Sequence, residues 1–447
     1  MNRLFFPVFL LFLMTTTISW TMDLPTRQIV DDSLLRRSLL DTWFRESPVI
    51  VMARQPEIHN LRGGGRVQVR ADSSGTNQEE FAIVLAREQN GTFPGWVQGS
   101  WVLTRRLDNN LDGSRIRIFL RSDFNTYVQF RPFGSDRSLM DVVIYDGYVI
   151  RAQPLPFPFE RLLVLPVEDI LAEAGSRFPR NYFEPDPGIY RDTREFVRAV
   201  RERLPELRFG DDGAIDENGQ FVFINNLASQ SPSNQGLNCS GFAKWIVDGL
   251  LRPLTGQRLS ITPLKQPFGD RGASFTEPWE ELRDPFFGLD WTRNLASIAW
   301  TTLRSPVFST LEEFEVRSWN ITHLIERRPG GSVVTVYPGF VEPAGFAFDG
   351  LHALMYSLAI DEPNRIFLAA INNELPARQI IPPRSQPRIR AYFHIAALVP
   401  FFNENGVFQV VVFESAAETS FARFRTRYPE GHFVNLVRIP VEGRFEP

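Results

Sequence analysis

One cysteine, two lysines and five histidines serve a chain of 447 residues. With Cys239 alone, no internal disulfide can form, and no Cys/His clustering or H-E-x-x-H spacing offers a metal site. Lys244 and Lys265 are the only lysines, so the positive charge is carried by arginine. A formal net charge of −4 supplies no global field for nucleic acid or an anionic membrane. There is no P-loop, and no G-x-G-x-x-G follows a strand pattern, so the sequence names no nucleotide and no cofactor. Beyond residue 22 no apolar run is long enough to cross a bilayer, so no integral span is expected once the N-terminal segment is removed. Internal repeats and low-complexity tracts are absent too.

What is present fits a folded, multi-part chain: 43% hydrophobic and 22% charged residues, with 39 phenylalanines. Arg3 followed by the apolar run Leu4–Met14, about eleven residues and too short to span, reads as a signal peptide over residues 1–22, with cleavage near Ser19–Thr21. The expected destination is the periplasm or the medium. An exported protein with one thiol either buries that thiol or uses it.

The rest divides by texture. Residues 24–50 read as a helical lead-in that Asp31-Asp32-Ser33 can cap. Residues 23–165 as a whole form a mainly β domain, a sandwich or small barrel, with short alternating runs at Arg66–Arg70, Phe81–Leu85, Gly99–Thr104, Arg115–Leu120, Tyr127–Phe130 and Asp141–Ile150. Asp108–Gly113 matches the first half of a calcium loop, but the twelfth position is Phe119 rather than a bidentate Glu, and a tight turn explains the same residues. A stiff stretch, Gln153–Phe159, marks the domain edge. Residues 166–214 read as a helical connector, with DGAIDENGQFVFINN as a hairpin after it. Residues 215–447 then give the Cys239 helix, a second helical block at 277–303, and strands from 331 onward: SVVTVY, HALMYSLAI, RIFLAAIN, RAYFHIAALVPFF, VFQVVVFES and HFVNLVRIPV. The fold class is α+β.

Cys239 opens the amphipathic run Cys239–Leu250, whose apolar residues at 242, 245, 246 and 250 mark one buried helix face. A helix N-terminus stabilises a thiolate through its free N–H groups and dipole, and the same groups can hold an oxyanion. That position suits a nucleophile. Asn238-Cys239-Ser240-Gly241-Phe242 resembles the DCSGF/L signature of NlpC-type papain-like cysteine peptidases, and the resemblance covers residues 215–447. Asn238 stands where the family usually has Asp, and the aromatic-Gly-Gly segment often found upstream is missing. The resemblance implies a papain-like α+β domain with an antiparallel sheet, hydrolysis of amide or peptide bonds, and cell-wall peptides as the substrate class.

A thiolate mechanism needs a histidine and a polar group to fix its tautomer. His59 in the β domain, His323 in an apparent charged helix end and His432 in a turn read as structural or surface residues. Two pairs remain. His394 opens a strand core, and a hairpin through Asn403–Gly406 would return Glu414 to its level; this layout resembles CHAP amidases and YiiX-like relatives. His352, on a strand followed by a return strand ending at Asn372, resembles the papain arrangement. Rival readings are a catalytically inactive papain-like binding module of the envelope, a thioester-using acyltransferase or lipid amidase, and a plain structural envelope protein. Oligomeric state is not encoded in any pattern found.

Overall fold

In a computed structural model the described residues are 29, 31–73, 79–108, 113–268, 284–304, 310–317, 340–342, 344–374, 390–442 and 444–447, with backbone alone at 322–323, 326–327 and 333–334. The signal-peptide segment, the middle of the calcium-like loop at 109–112, and most of SVVTVY lie outside these residues.

The lead-in helix Ser33–Ser38 is capped by Asp32, which accepts from Leu35 N at 3.0 Å. Eight strands follow in chain order: Glu57–Asn60, Arg66–Ser73, Glu80–Arg87, Trp101–Arg106, Arg115–Ile118, Tyr127–Phe133, Arg137–Ile144 and Gly147–Leu155. Each pairs antiparallel with the next, giving one up-and-down sheet. Of the expected sandwich or small barrel, what the structure shows is the mainly β character, as a single antiparallel sheet. Alternation put one apolar set inward (Val67, Val69, Ile83, Leu85, Leu103, Ile116, Phe130, Val142), and helices rather than a second sheet cover that face.

The single run expected at Asp141–Ile150 is a hairpin. It turns at Tyr145 and Asp146, both at positive φ (45° and 65°), the backbone pattern of a type I′ turn without its usual Asn-Gly. On the calcium-like segment, the flanking strands Trp101–Arg106 and Arg115–Ile118 do pair. Asp108 is engaged by Arg106 (2.7 Å), and the twelfth position, Phe119, is buried. His323 is corrected from a helix end to a strand: Thr322–His323 pairs with Tyr148 and Gly147 and becomes the ninth strand of the first sheet.

After the helices Val167–Ala174 and Arg191–Arg203 comes the expected hairpin, Gly213–Ile215 with Phe221–Phe223. The helices Cys239–Thr255 and Phe287–Arg304 then lie against a six-stranded antiparallel sheet. Its order is Phe346–Ala347, His432–Pro440, Arg365–Glu374, Arg390–Phe402, Phe408–Glu414, Ala417–Ser420. The segment HALMYSLAI is not a strand. Leu351–Asp361 is a helix, because Leu, Ala and Met favour helix, no β-branched residue precedes Ile360, and the run is buried on nearly every side.

One apolar cluster runs through the first sheet, the helices and the second sheet. Tyr145, at the tip of its hairpin, stacks on His352 with ring centroids 3.7 Å apart and touches Tyr356 and Phe408. Arg121 donates to Tyr356 Oη (2.9 Å) and to Gly406 O (3.3 Å). The halves that the sequence separates by texture thus share a core and a strand.

Candidate functional site

The Cys239 helix is fixed at both ends by its sequence. Asn238 caps it, accepting from Gly241 N at 2.8 Å, and Gly256 closes it at φ 71°. Its first turn presses on the Gly213–Ile215 strand, with Asn238 N donating to Gly213 O at 3.0 Å. A Cβ at Gly241 would collide with that carbonyl oxygen and lie 2.8 Å from Ala214 Cα, so only glycine allows this approach. Trp291 Nε1 donates to Ser240 O (2.9 Å) from the neighbouring helix. One turn on, buried Lys244 donates to Ile215 O (2.7 Å) and to Asp248 (2.6 Å), tying helix to hairpin a second time.

The facing strand brings His394. Between Arg365–Glu374 and Arg390–Phe402 the register slips: Ile371 pairs with His394, but Asn372 pairs with Tyr392. Phe393 is the extra residue of a β-bulge, a feature that bends a strand and re-aims its side chains. His394 leaves this bulge toward Cys239, and Phe393 stays 48% exposed beside it. The rings of Phe393, Tyr428 and His432 form a triangle with centroids 5.7–6.2 Å apart.

Glu414 comes from the next strand through the expected hairpin. Phe413 pairs with Ala397, and His394 Nε2 lies 2.8 Å from Glu414 Oε2. With Nε2 donating to the carboxylate, Nδ1 is the ring nitrogen left for the thiol. Directly after Glu414 the chain reverses at Ser415 and Ala416, both at positive φ (50° and 62°). That tight turn returns Thr419, whose hydroxyl donates to Glu414 Oε1 at 2.7 Å. The helix Phe421–Arg427 delivers Arg427, whose two terminal nitrogens donate to Oε2 (2.9 Å) and Oε1 (2.7 Å). Each carboxylate oxygen therefore takes two donors.

The electrostatics follow from these contacts. Burial pushes the Cys239 thiol up, but the hydrogen bond and charge of His394, the Ile395 N–H and the Ser240 hydroxyl together hold it below its ordinary value. Burial alone would lower His394; contact with Cys239 and the bond to Glu414 raise it to about 9. Glu414 would rise on burial, yet His394, Arg427 and Thr419 bring it down to about 2. The set favours a thiolate beside an imidazolium. Cys239 itself is half-buried, packed on one side against the core.

The structure thus brings Cys239, His394 and Glu414 together. It does not bring His352 or Asn372 to them. His352 sits on the Leu351–Asp361 helix among Tyr145, Phe408 and Phe421, and burial lowers it to about 3, leaving a neutral packing ring rather than a base. Asn372 is buried, with Nδ2 donating to Ala344 O (2.7 Å) and Oδ1 accepting from Arg390 (3.3 Å). His59 faces Glu57 at 3.3 Å, and His432 Nδ1 faces Pro429 O at 3.1 Å. Thr419, Arg427 and the bulge at Phe393 carried no sequence signal. Among the described residues, no group of three or more His, Cys, Asp and Glu is placed to hold a metal, and no helix is long and apolar enough to cross a membrane.

A family model described as "Domain of unknown function (DUF8515)" matches residues 25–182, which hold the lead-in, the first eight strands and the short helices after them, and end before the Cys239 helix. No curated protein and no solved structure matches the chain.

Proposed function

We propose that this chain is an exported cysteine hydrolase that cleaves amide or peptide bonds, with cell-wall peptides as the substrate class implied by the NlpC-type resemblance. The observation that carries the reading is the Cys239–His394–Glu414 line: a half-buried thiol at a capped helix start, held below its ordinary pKa by a histidine whose far nitrogen is bound to a carboxylate. A papain-like domain is part of the same proposal, supported by the cysteine helix lying against the histidine strand of an antiparallel sheet. A module that only binds has no need of a thiol held below its ordinary value by a histidine that a carboxylate supports.

In the proposed reaction the Cys239 thiolate adds to the amide carbonyl carbon and the π electrons move to oxygen. The amides of Cys239 and Ser240 precede the helix ladder, which begins at Phe242 N to Asn238 O, and they can receive that oxyanion. The imidazolium gives its proton to the amine nitrogen as the C–N bond breaks, leaving a thioester. Neutral His394 then takes a proton from water, hydroxide adds to the thioester carbon, and the thiolate leaves with the acid product.

Iodoacetamide alkylation tests the nucleophile. At pH 6 native protein is expected to label faster than free cysteine, and His394→Ala is expected to return the rate to that of an ordinary buried thiol. Labelling only after unfolding would overturn the reading. Hydrolysis of wall peptides is expected to vanish in Cys239→Ala. Export is tested by mass spectrometry of protein from its native host, which is expected to lack residues 1 to about 21; an intact Met1 would count against it.

A further inference from the structure

We infer that Arg427 is a positioning residue of the Cys239 site: it fixes the Glu414 carboxylate by two points and shares that carboxylate's charge with His394. This rests on the proposed hydrolase reading and adds a fourth member to it. The geometry is specific. Glu414 Oε2 receives both His394 Nε2 (2.8 Å) and Arg427 Nη1 (2.9 Å), while Oε1 receives Thr419 Oγ1 (2.7 Å) and Arg427 Nη2 (2.7 Å). A planar guanidinium fits both oxygens at once and locks the carboxylate's rotation, which a lysine cannot do. The strained Ser415–Ala416 turn and the seven-residue helix after it bring Arg427 to this place.

The consequence is chemical. His394 has to hold a proton next to the thiolate and then surrender it to the leaving amine. A bare buried glutamate would hold the imidazolium too firmly for the second task. A second cation on the same oxygen weakens that hold and also favours the nearby thiolate. Among the described residues, the charged and titratable groups at His394 are Cys239 from its helix and Glu414 from the next strand, with Arg427 and Tyr428 from the segment beyond the turn acting at Glu414. Removing Arg427 leaves both protons more tightly held, so both inflections of the Cys239 reactivity profile move to higher pH. Arg427 is 38% exposed, so water screens the effect, and the displacement expected is about one pH unit.

The test is the rate of iodoacetamide alkylation of the full chain from pH 4 to 10, with circular dichroism as the check on folding. Arg427→Gln is expected to move both inflections upward by about one pH unit, and Arg427→Lys, which keeps the charge but not the two-point grip, to place them between Arg427→Gln and wild type. Should Arg427→Gln fail to fold, Arg427→Met, which keeps the apolar stem, carries the same expectation. Inflections that coincide with wild type in a folded charge-removed variant, whatever its melting temperature, would overturn the inference while leaving the nucleophile in place. A wild-type profile matching that of free cysteine would instead overturn the hydrolase reading and this inference with it.

Discussion

Replacing Glu414 by glutamine keeps the size of the side chain and removes the charge on which three neighbours converge. The side chain is 6% exposed and accepts from His394, Thr419 and both terminal nitrogens of Arg427. Its descent from an ordinary 4.5 to about 2 corresponds, at ~1.4 kcal/mol per pH unit, to about 3 kcal/mol of folding stability. Arg427 is partly in water, which reduces the share it can supply, so about 2 kcal/mol is expected. The rise of His394 to about 9 reflects the same contact seen from its partner and is not added again.

The pH dependence has a definite sign. Glu414 is depressed, so its contribution is complete above its ordinary 4.5 and is lost as pH falls through about 2. His394 is raised, so its contribution is complete below its ordinary 6.5 and is lost as pH rises through about 9. Both are present at pH 6. Urea unfolding of wild type and Glu414→Gln is expected to differ by about 2 kcal/mol at pH 6 and by about 1 kcal/mol at pH 10, where the His394 charge is lost and its Nε2–H remains only as a neutral donor beside Arg427 and Thr419. An equal or larger gap at pH 10, or none at pH 6, would refute the assignment of an imidazolium–carboxylate pair.

Two further substitutions separate packing from chemistry. His352→Phe is expected to leave stability within about 1 kcal/mol of wild type and Cys239 alkylation unchanged, because the ring packs uncharged against Tyr145; loss of alkylation in a folded variant would return His352 to the site. Gly241→Ala is expected to cost about 1–3 kcal/mol and to slow Cys239 alkylation, since the added Cβ meets the Gly213 carbonyl and pushes the first helical turn away from His394; thermal melts and alkylation rates check both.

Much of the fold was legible because local preference and burial agreed. Arg191–Arg203 carries apolar residues on one stripe, Asn238 and Gly256 bracket the cysteine helix, and the strands Arg365–Glu374, Arg390–Phe402, Phe408–Glu414 and His432–Pro440 fall where runs of Ala, Val, Ile and Phe place them. The misreadings have separate causes. An apolar run buried on all sides has no period, so Leu351–Asp361 offered strand and helix equally, and propensity decided for helix. Tyr145-Asp146 and Ser415-Ala416 turn tightly without glycine or asparagine at the positions that need positive φ, so neither hairpin announced its corner. The ninth strand of the first sheet, Thr322–His323, is a pairing more than a hundred residues distant from its partner Gly147–Leu155, which no local pattern encodes.

The candidate site divides in the same way, and the division explains which residue pair the fold selects. Cys239 announces itself because its chemistry depends on a local feature, the helix start after Asn238. His394 and Glu414 could be paired on paper because a hairpin is nearly local: the turn at Asn403–Gly406 sets the register of the two strands it joins. His352 and Asn372 looked equivalent only while both were assigned to adjacent strands; once His352 belongs to a helix, its ring points into the joint with Tyr145 and no shared level with Asn372 exists. What stayed hidden is the part that tunes rather than reacts. The bulge that aims His394 depends on a one-residue slip against Arg365–Glu374, and the Arg427 grip depends on an unmarked turn followed by a short helix. Reactive groups must be particular residue types and so leave a trace in composition. The groups that orient them need only arrive at the right place, and an arginine in a chain whose cations are nearly all arginine leaves none.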